Sequence, residues 1–145
     1  MSPSPAAGAA TGAGSGGPAL LGFHHAAVIC SDYERSKRFY VETLGLEPLA
    51  EAWRPESCSW KLDLGAGAGY IVELFWFGER PPRPDRPEAL GLRHLAFAVA
   101  DVEASAAAIE SSGVAVEPVR VDPGTGKRFT FFKDPDGLPL ELYEA

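Results

Sequence analysis

Between residues 24 and 144 the spacing of apolar positions changes rhythm in a way that repeats. The apolar run "HHAAVIC" (24–30) leads to Asp32, and "RHLAFAVA" (93–100) leads to Asp101. Each aspartate is a suitable helix N-cap, with Glu34 or Glu103 in the first turn where the helix dipole favours an acid. Each helical stretch stops at a glycine, Gly45 or Gly113, as a left-handed C-cap requires. Short strand-like runs follow at 46–50 and 114–119. A further strand is expected at 57–64, turned back by "GAGAG" (65–69), and its counterpart at 128–132, ended by "DPDG" (134–137). The last apolar strands, "YIVELFWF" (70–77) and "LPLELYE" (138–144), each carry one interior glutamate.

The pattern predicts a duplicated β-α-β-β-β unit and an α+β fold. We place the first module at 21–77, the second at 92–145, and a linker at 78–91, where "GERPPRPDRPEALG" is broken by prolines. Together, 21–145 make one domain. Residues 1–20 are mostly Ala, Gly, Ser and Pro, with little to bury, and are expected to be a disordered tail. They lack the basic and leucine-rich regions of a secretory signal, and the two cysteines make no disulfide framework, so a cytoplasmic location is expected.

Composition narrows the partners. The 145 residues carry a formal charge of −7, which disfavours both a nucleic-acid backbone and an anionic membrane surface. No apolar run approaches the roughly 20 residues that span a bilayer. "GTGKRF" (124–129) lacks the glycine and hydroxyl residue of a phosphate loop, and "GAGAGY" lacks the third glycine of a dinucleotide fingerprint.

The chemistry lies in four matched positions. His25 precedes Glu73 by 48 residues, and His94 precedes Glu141 by 47. Strand side chains alternate faces, so His25 sits with Ala27 and Ile29, and His94 with Ala96 and Ala98. Glu73 sits with Ile71, Phe75 and Phe77; Glu141 sits with Pro139 and Tyr143. A carboxylate among apolar side chains must be paired, protonated or metal-bound. A strand histidine is ordinarily a satisfied core or surface residue, and a strand glutamate ordinarily faces water. The repetition of both argues for more: a divalent ion held by two imidazoles and two carboxylates would partner all four. His24 has Arg93 opposite it in the repeat and is read as an ordinary residue. Cys30, in an apolar run, is read as a buried, inert thiol.

The stretches "SKRFYVETLGL", "YIVELF", "GLRHLAF" and "FFKDPDGLPLELYE" resemble the vicinal oxygen chelate superfamily, which includes glyoxalase I, extradiol dioxygenases, fosfomycin-resistance enzymes and bleomycin-binding proteins. The resemblance runs from Phe23 to Glu144 and is similar above all to small bacterial glyoxalase I-like proteins. It implies paired βαβββ modules in a curved mixed sheet around one metal, with His25, Glu73, His94 and Glu141 as ligands to Ni, Zn, Co, Mn or Fe. It also implies a homodimer, since in many relatives two chains associate and each site draws ligands from both; whether the ligands here come from one chain or two is left open by the sequence.

The implied activity is a metal-dependent lyase or isomerase acting on a small vicinal-oxygen substrate. Glu141, with Glu73 as its counterpart, would be the base. Phe75, Phe77 and Tyr143 would wall the site, and Arg128 or Lys127 would hold an anionic group. Two departures argue against glutathione. Ile29 and Phe77 stand where bacterial glyoxalase I carries glutathione-contacting arginine and asparagine. An Fe(II) extradiol-type dioxygenase or a thiol transferase would leave one of the four ligands surplus. A non-catalytic drug-binding protein of the bleomycin-resistance type needs no metal ligands at all.

Overall fold

Asp32 and Asp101 each turn a strand into a helix, their carboxylates accepting from the backbone N–H of Arg35 (3.0 Å) and Ala104 (2.9 Å). The computed structural model describes residues 16–67 and 69–145, so most of the tail expected at 1–20 lies outside the described residues. In the first module, strand β1 (Ala26–Ile29) leads into helix α1 (Tyr33–Arg38), which widens into a π-helical segment over Phe39–Thr43. Gly45, at φ +71°, then reverses the chain as its position predicted. Strands β2 (Glu47–Arg54), β3 (Ser59–Ala66) and β4 (Gly69–Trp76) complete the module. The second module follows with β5 (Leu95–Val99), α2 (Val102–Ser111), β6 (Arg120–Val121), β7 (Arg128–Lys133) and β8 (Pro139–Glu144). The α+β class and the two modules are as the repeat predicted.

Each module forms its own four-stranded sheet, in the orders β1-β4-β3-β2 and β5-β8-β7-β6. In each, the first strand runs parallel to the last, and the other pairings are antiparallel. Within one chain the curved surface is therefore two sheets, with β1 and β5 left as edge strands. The strand expected at 114–119 is reduced to a single bridge from Val116 to Phe132, and the ladder resumes only at β6. Glu117 N–H still bonds the Phe131 carbonyl at 2.9 Å, and the register then slips by one residue between the Val116–Phe132 and Arg120–Phe129 pairs.

The core lies between the helix-facing sides of the sheets. Leu62, Leu64, Val72, Leu74, Leu140 and Leu142 are buried there, each worth about 1.5–3 kcal/mol relative to exposure. The modules meet through the "DPDG" turn, where Tyr40 donates to Asp134 at 2.8 Å and Phe39 packs on Phe132. Asp136 accepts from the backbone N–H of Ser31 (2.9 Å) and from its hydroxyl. The linker is pinned to the second module by Asp85, which pairs with Arg93 at 2.7 Å and Lys133 at 3.3 Å. No helix among the described residues is long and apolar enough to cross a membrane.

Candidate metal centre

The alternation read from the sequence holds in β4 and β8. Val72, Leu74, Leu140 and Leu142 point into the core, which sends Glu73 and Glu141 to the opposite faces. Ala27 lies beside Glu73 in the parallel ladder, and Ala96 lies beside Glu141. Each histidine is two residues before that alanine and so on the same face, reaching the carboxylate from just outside its strand. His25 Nε2 is 2.9 Å from Glu73 Oε2, and His94 Nε2 is 3.0 Å from Glu141 Oε2. The duplication is preserved at the level of single atoms.

These are two pairs, one per module. Among the described residues no three His, Cys, Asp or Glu side chains gather at ligating distance. His94 therefore finds its partner on the neighbouring strand of its own module, and convergence of all four groups is not achieved within one chain. The donor chemistry nevertheless fits a divalent ion. Two atoms each about 2.1 Å from one ion, at a right angle, stand about 3.0 Å apart. An imidazole nitrogen and a carboxylate oxygen occupy that spacing in both pairs.

The surroundings of the two pairs differ. Lys61 Nζ lies 2.8 Å from Glu73 Oε1 and 2.9 Å from Asp63, which also accepts from the Tyr70 hydroxyl at 3.0 Å. Burial pushes the Glu73 carboxyl up, but the Lys61 ammonium bonded to it and the nearby Tyr70 hydroxyl outweigh it and hold the group below its usual value. The bonds to Glu73 and then Asp63 raise Lys61 in turn. His24 Nδ1 lies 2.7 Å from His25 Nδ1, an outer partner of the kind that orients a ligating ring. His24 is thus tied to the site, contrary to its reading as an ordinary residue.

The second pair rests on aromatic carbon. Phe131 is the register partner of Glu141, and its ring meets His94 edge-on at 5.1 Å. The Arg120 guanidinium lies over Phe129 (4.9 Å) and Phe131 (5.8 Å). A cavity of about 730 Å³ opens beside His94, walled by Phe131, Arg93, Arg120 and Lys133.

Of the expected wall residues, Phe75 and Phe77 stack at 5.3 Å on the face of Glu73. Tyr143 stacks on Phe129 on the face of Glu141, with its hydroxyl bonded to Asp122 at 2.9 Å. Arg128 needs correction. Its neighbours Phe129 and Phe131 share the face of Glu141, so Arg128 points to the helix side, where it pairs with Glu103 of α2 at 2.5 Å. Lys127 lies in the turn closed by the bond from Asp122 N–H to its carbonyl. Sequence reasoning missed Lys61 and Arg120. A signal for Lys61 was present in "KLDL" (61–64), where polar residues alternate with two buried leucines.

A family model described as Glyoxalase/Bleomycin resistance protein/Dioxygenase superfamily matches residues 22–142. The chain is 54% identical over 125 residues to the uncharacterized protein YwkD of Bacillus subtilis, covering 86% of this chain and 98% of that one. It is 56% identical over 121 residues to the uncharacterized protein YaeR of Escherichia coli, covering 83% and 94%. Among solved structures, a glyoxalase family protein from Enterococcus faecalis matches with TM-score 0.76 and 51% identity, covering 86% and 98%. TnmS3, an antibiotic binding protein from Streptomyces sp. CB03234, matches with TM-score 0.69 and 29% identity, covering 88% and 98%. The trypanothione-dependent glyoxalase I of Leishmania major matches with TM-score 0.65 and 27% identity, covering 83% and 84%.

Proposed function

The chain belongs to the glyoxalase/bleomycin resistance protein/dioxygenase superfamily, and from that premise we propose that it is a metal-dependent lyase or isomerase of the glyoxalase I type. Its substrate is a small molecule with vicinal oxygens. One observation carries the reading: both modules set a histidine nitrogen 2.9–3.0 Å from a glutamate oxygen at matched positions.

A complete site takes one pair from each of two chains. Three features support this: the pairs are not gathered within a chain, β1 and β5 are free edges, and the site face of β1 presents Ile29 at 54% exposure. In such a homodimer His25 and Glu73 of one protomer would hold the ion with His94 and Glu141 of its partner. When bound, the ion supplies Lewis acidity to the substrate oxygens.

The chain's own groups supply the rest. Glu141 takes a proton at its carboxylate from a carbon next to a carbonyl, because it lacks the lysine that Glu73 carries beside its histidine. Phe75, Phe77, Phe129 and Phe131 exclude water from the reacting carbon. Ile29 and Phe77 disfavour a charged glutathione adduct, since neither completes an ionic or amide contact.

The test is a screen of metal-loaded protein over 2-oxoaldehydes, 2-hydroxyacyl thioesters and catechols, with Glu141→Gln as control. Turnover that survives in the control sinks Glu141 as the base. A second reading, sequestration of an aromatic antibiotic without turnover, is favoured by the likeness to TnmS3 and by the stacked Phe75–Phe77 pair. Purified protein that binds no stoichiometric metal but does bind an aromatic antibiotic would select it.

A further inference from the structure

The two halves share a register, which permits a position-by-position comparison. In the first module Asp63 is the partner of Glu73 and Lys61 that of Phe75. In the second, Phe131 is the partner of Glu141 and Phe129 that of Tyr143. A lysine and an aspartate thus stand where the other half has two phenylalanines. Lys61 and Asp63 lie on the site face because Leu62 and Leu64 between and beside them are fully buried. The ammonium is set on Glu73 Oε1, while Oε2 of the same carboxylate faces His25.

We infer that Lys61 is a built-in competitor for Glu73, a resident cation that holds down the site's affinity for a divalent ion and keeps that ion exchangeable. The inference rests on the metal reading above. Two opposing effects of the lysine must be weighed. It orients the carboxylate, which favours a second cation only by the rotamer freedom of one glutamate. It also repels that cation across the width of one carboxylate, with an energy that scales as the product of the charges, so a dication feels it twice over. Glu73 is only 14% exposed, and water screens the repulsion less there than at a surface pair. Repulsion wins. Glu141, with no lysine on it, carries no such competitor, so the two glutamates of the repeat hold the ion unequally.

The experiment is calorimetric titration of the full chain with Ni²⁺, paired with the rate of Ni²⁺ release to excess chelator. Wild type is compared with Lys61→Met and Lys61→Arg. We expect Lys61→Met to bind about tenfold tighter or more and to release more slowly, with Lys61→Arg within about twofold of wild type. Equal or weaker binding by Lys61→Met overturns the proposal and leaves the metal reading standing. If wild type takes up no Ni²⁺ but Lys61→Met does, the competitor role is upheld in its strongest form. If none of the proteins takes up Ni²⁺, the metal reading falls and this inference with it. Should Lys61→Met fail to fold, Lys61→Gln, which also removes the charge, carries the same comparison.

Discussion

Tyr40, in the first module, donates its phenolic hydrogen to Asp134 of the second at 2.8 Å, and both side chains are buried. Asp134 also accepts from the backbone N–H groups of Asp136 and Leu138, each at 2.9 Å. A buried carboxylate with three donors joins the modules just before β8 delivers Glu141.

Tyr40→Phe should cost about 1–3 kcal/mol, because it strips one donor from a buried carboxylate. Urea unfolding followed by tryptophan fluorescence would measure it. Burial already lifts the Asp134 carboxyl above its ordinary value, more than its hydrogen bonds lower it. For an acid raised in the folded state, the stability contribution is full below the unfolded value and is lost as pH rises through the folded one. Removing Tyr40 raises the group further, so the loss should extend to higher pH in the variant.

Asp85 titrates in the opposite sense. Hydrogen bonds from Arg93 and then Lys133 pull its carboxyl down to about 2. Its contribution is therefore complete above about pH 4 and is lost as pH falls toward 2. In acid titrations followed by circular dichroism, Asp85→Asn should be less stable than wild type at pH 5, and the difference should vanish near pH 2. A gap unchanged at pH 2 would show that the ion pairs do not set it.

The proposed two-chain site admits a complementation test. One chain carries His25→Ala with Glu73→Gln, and the other carries His94→Ala with Glu141→Gln. Each alone should bind no metal. After mixing and exchange, half the dimers are mixed and each has one intact site, so about a quarter of the wild-type metal should be recovered. A mixture that stays empty would contradict a site built from two chains.

The two thiols should separate cleanly. Cys30 is buried and free, and burial first of all pushes its thiol up to about 11. Cys58 is exposed. A disulfide reagent at pH 8 should modify one equivalent quickly and the second only on unfolding. Two fast equivalents would mean that Cys30 is accessible.

Much of this molecule was legible in its residues. Asp32, Asp101, Gly45 and Gly113 marked the helix ends because capping depends on the residue and its immediate neighbours. Val72, Glu73 and Leu74 revealed their faces because a strand alternates with period two regardless of its partners. The departures arise where position depends on another strand. A one-residue slip between Val116 and Arg120 broke a ladder that composition alone extended too far, and Arg128 went to α2 because the register of β7 against β8 sent Phe129 and Phe131 to the other side.

The sequence by itself determined the duplicated unit, its helix ends, and the matched histidine and glutamate on each module. Those are consequences of local periodicity and of copying one segment. Only the tertiary structure decided that each histidine meets the glutamate of its own half, that His24 and Lys61 join one pair, and that phenylalanines stand at the matching places in the other. Neighbours across a sheet are chosen by strand order and register, which depend on the packing of the whole chain rather than on any stretch of it.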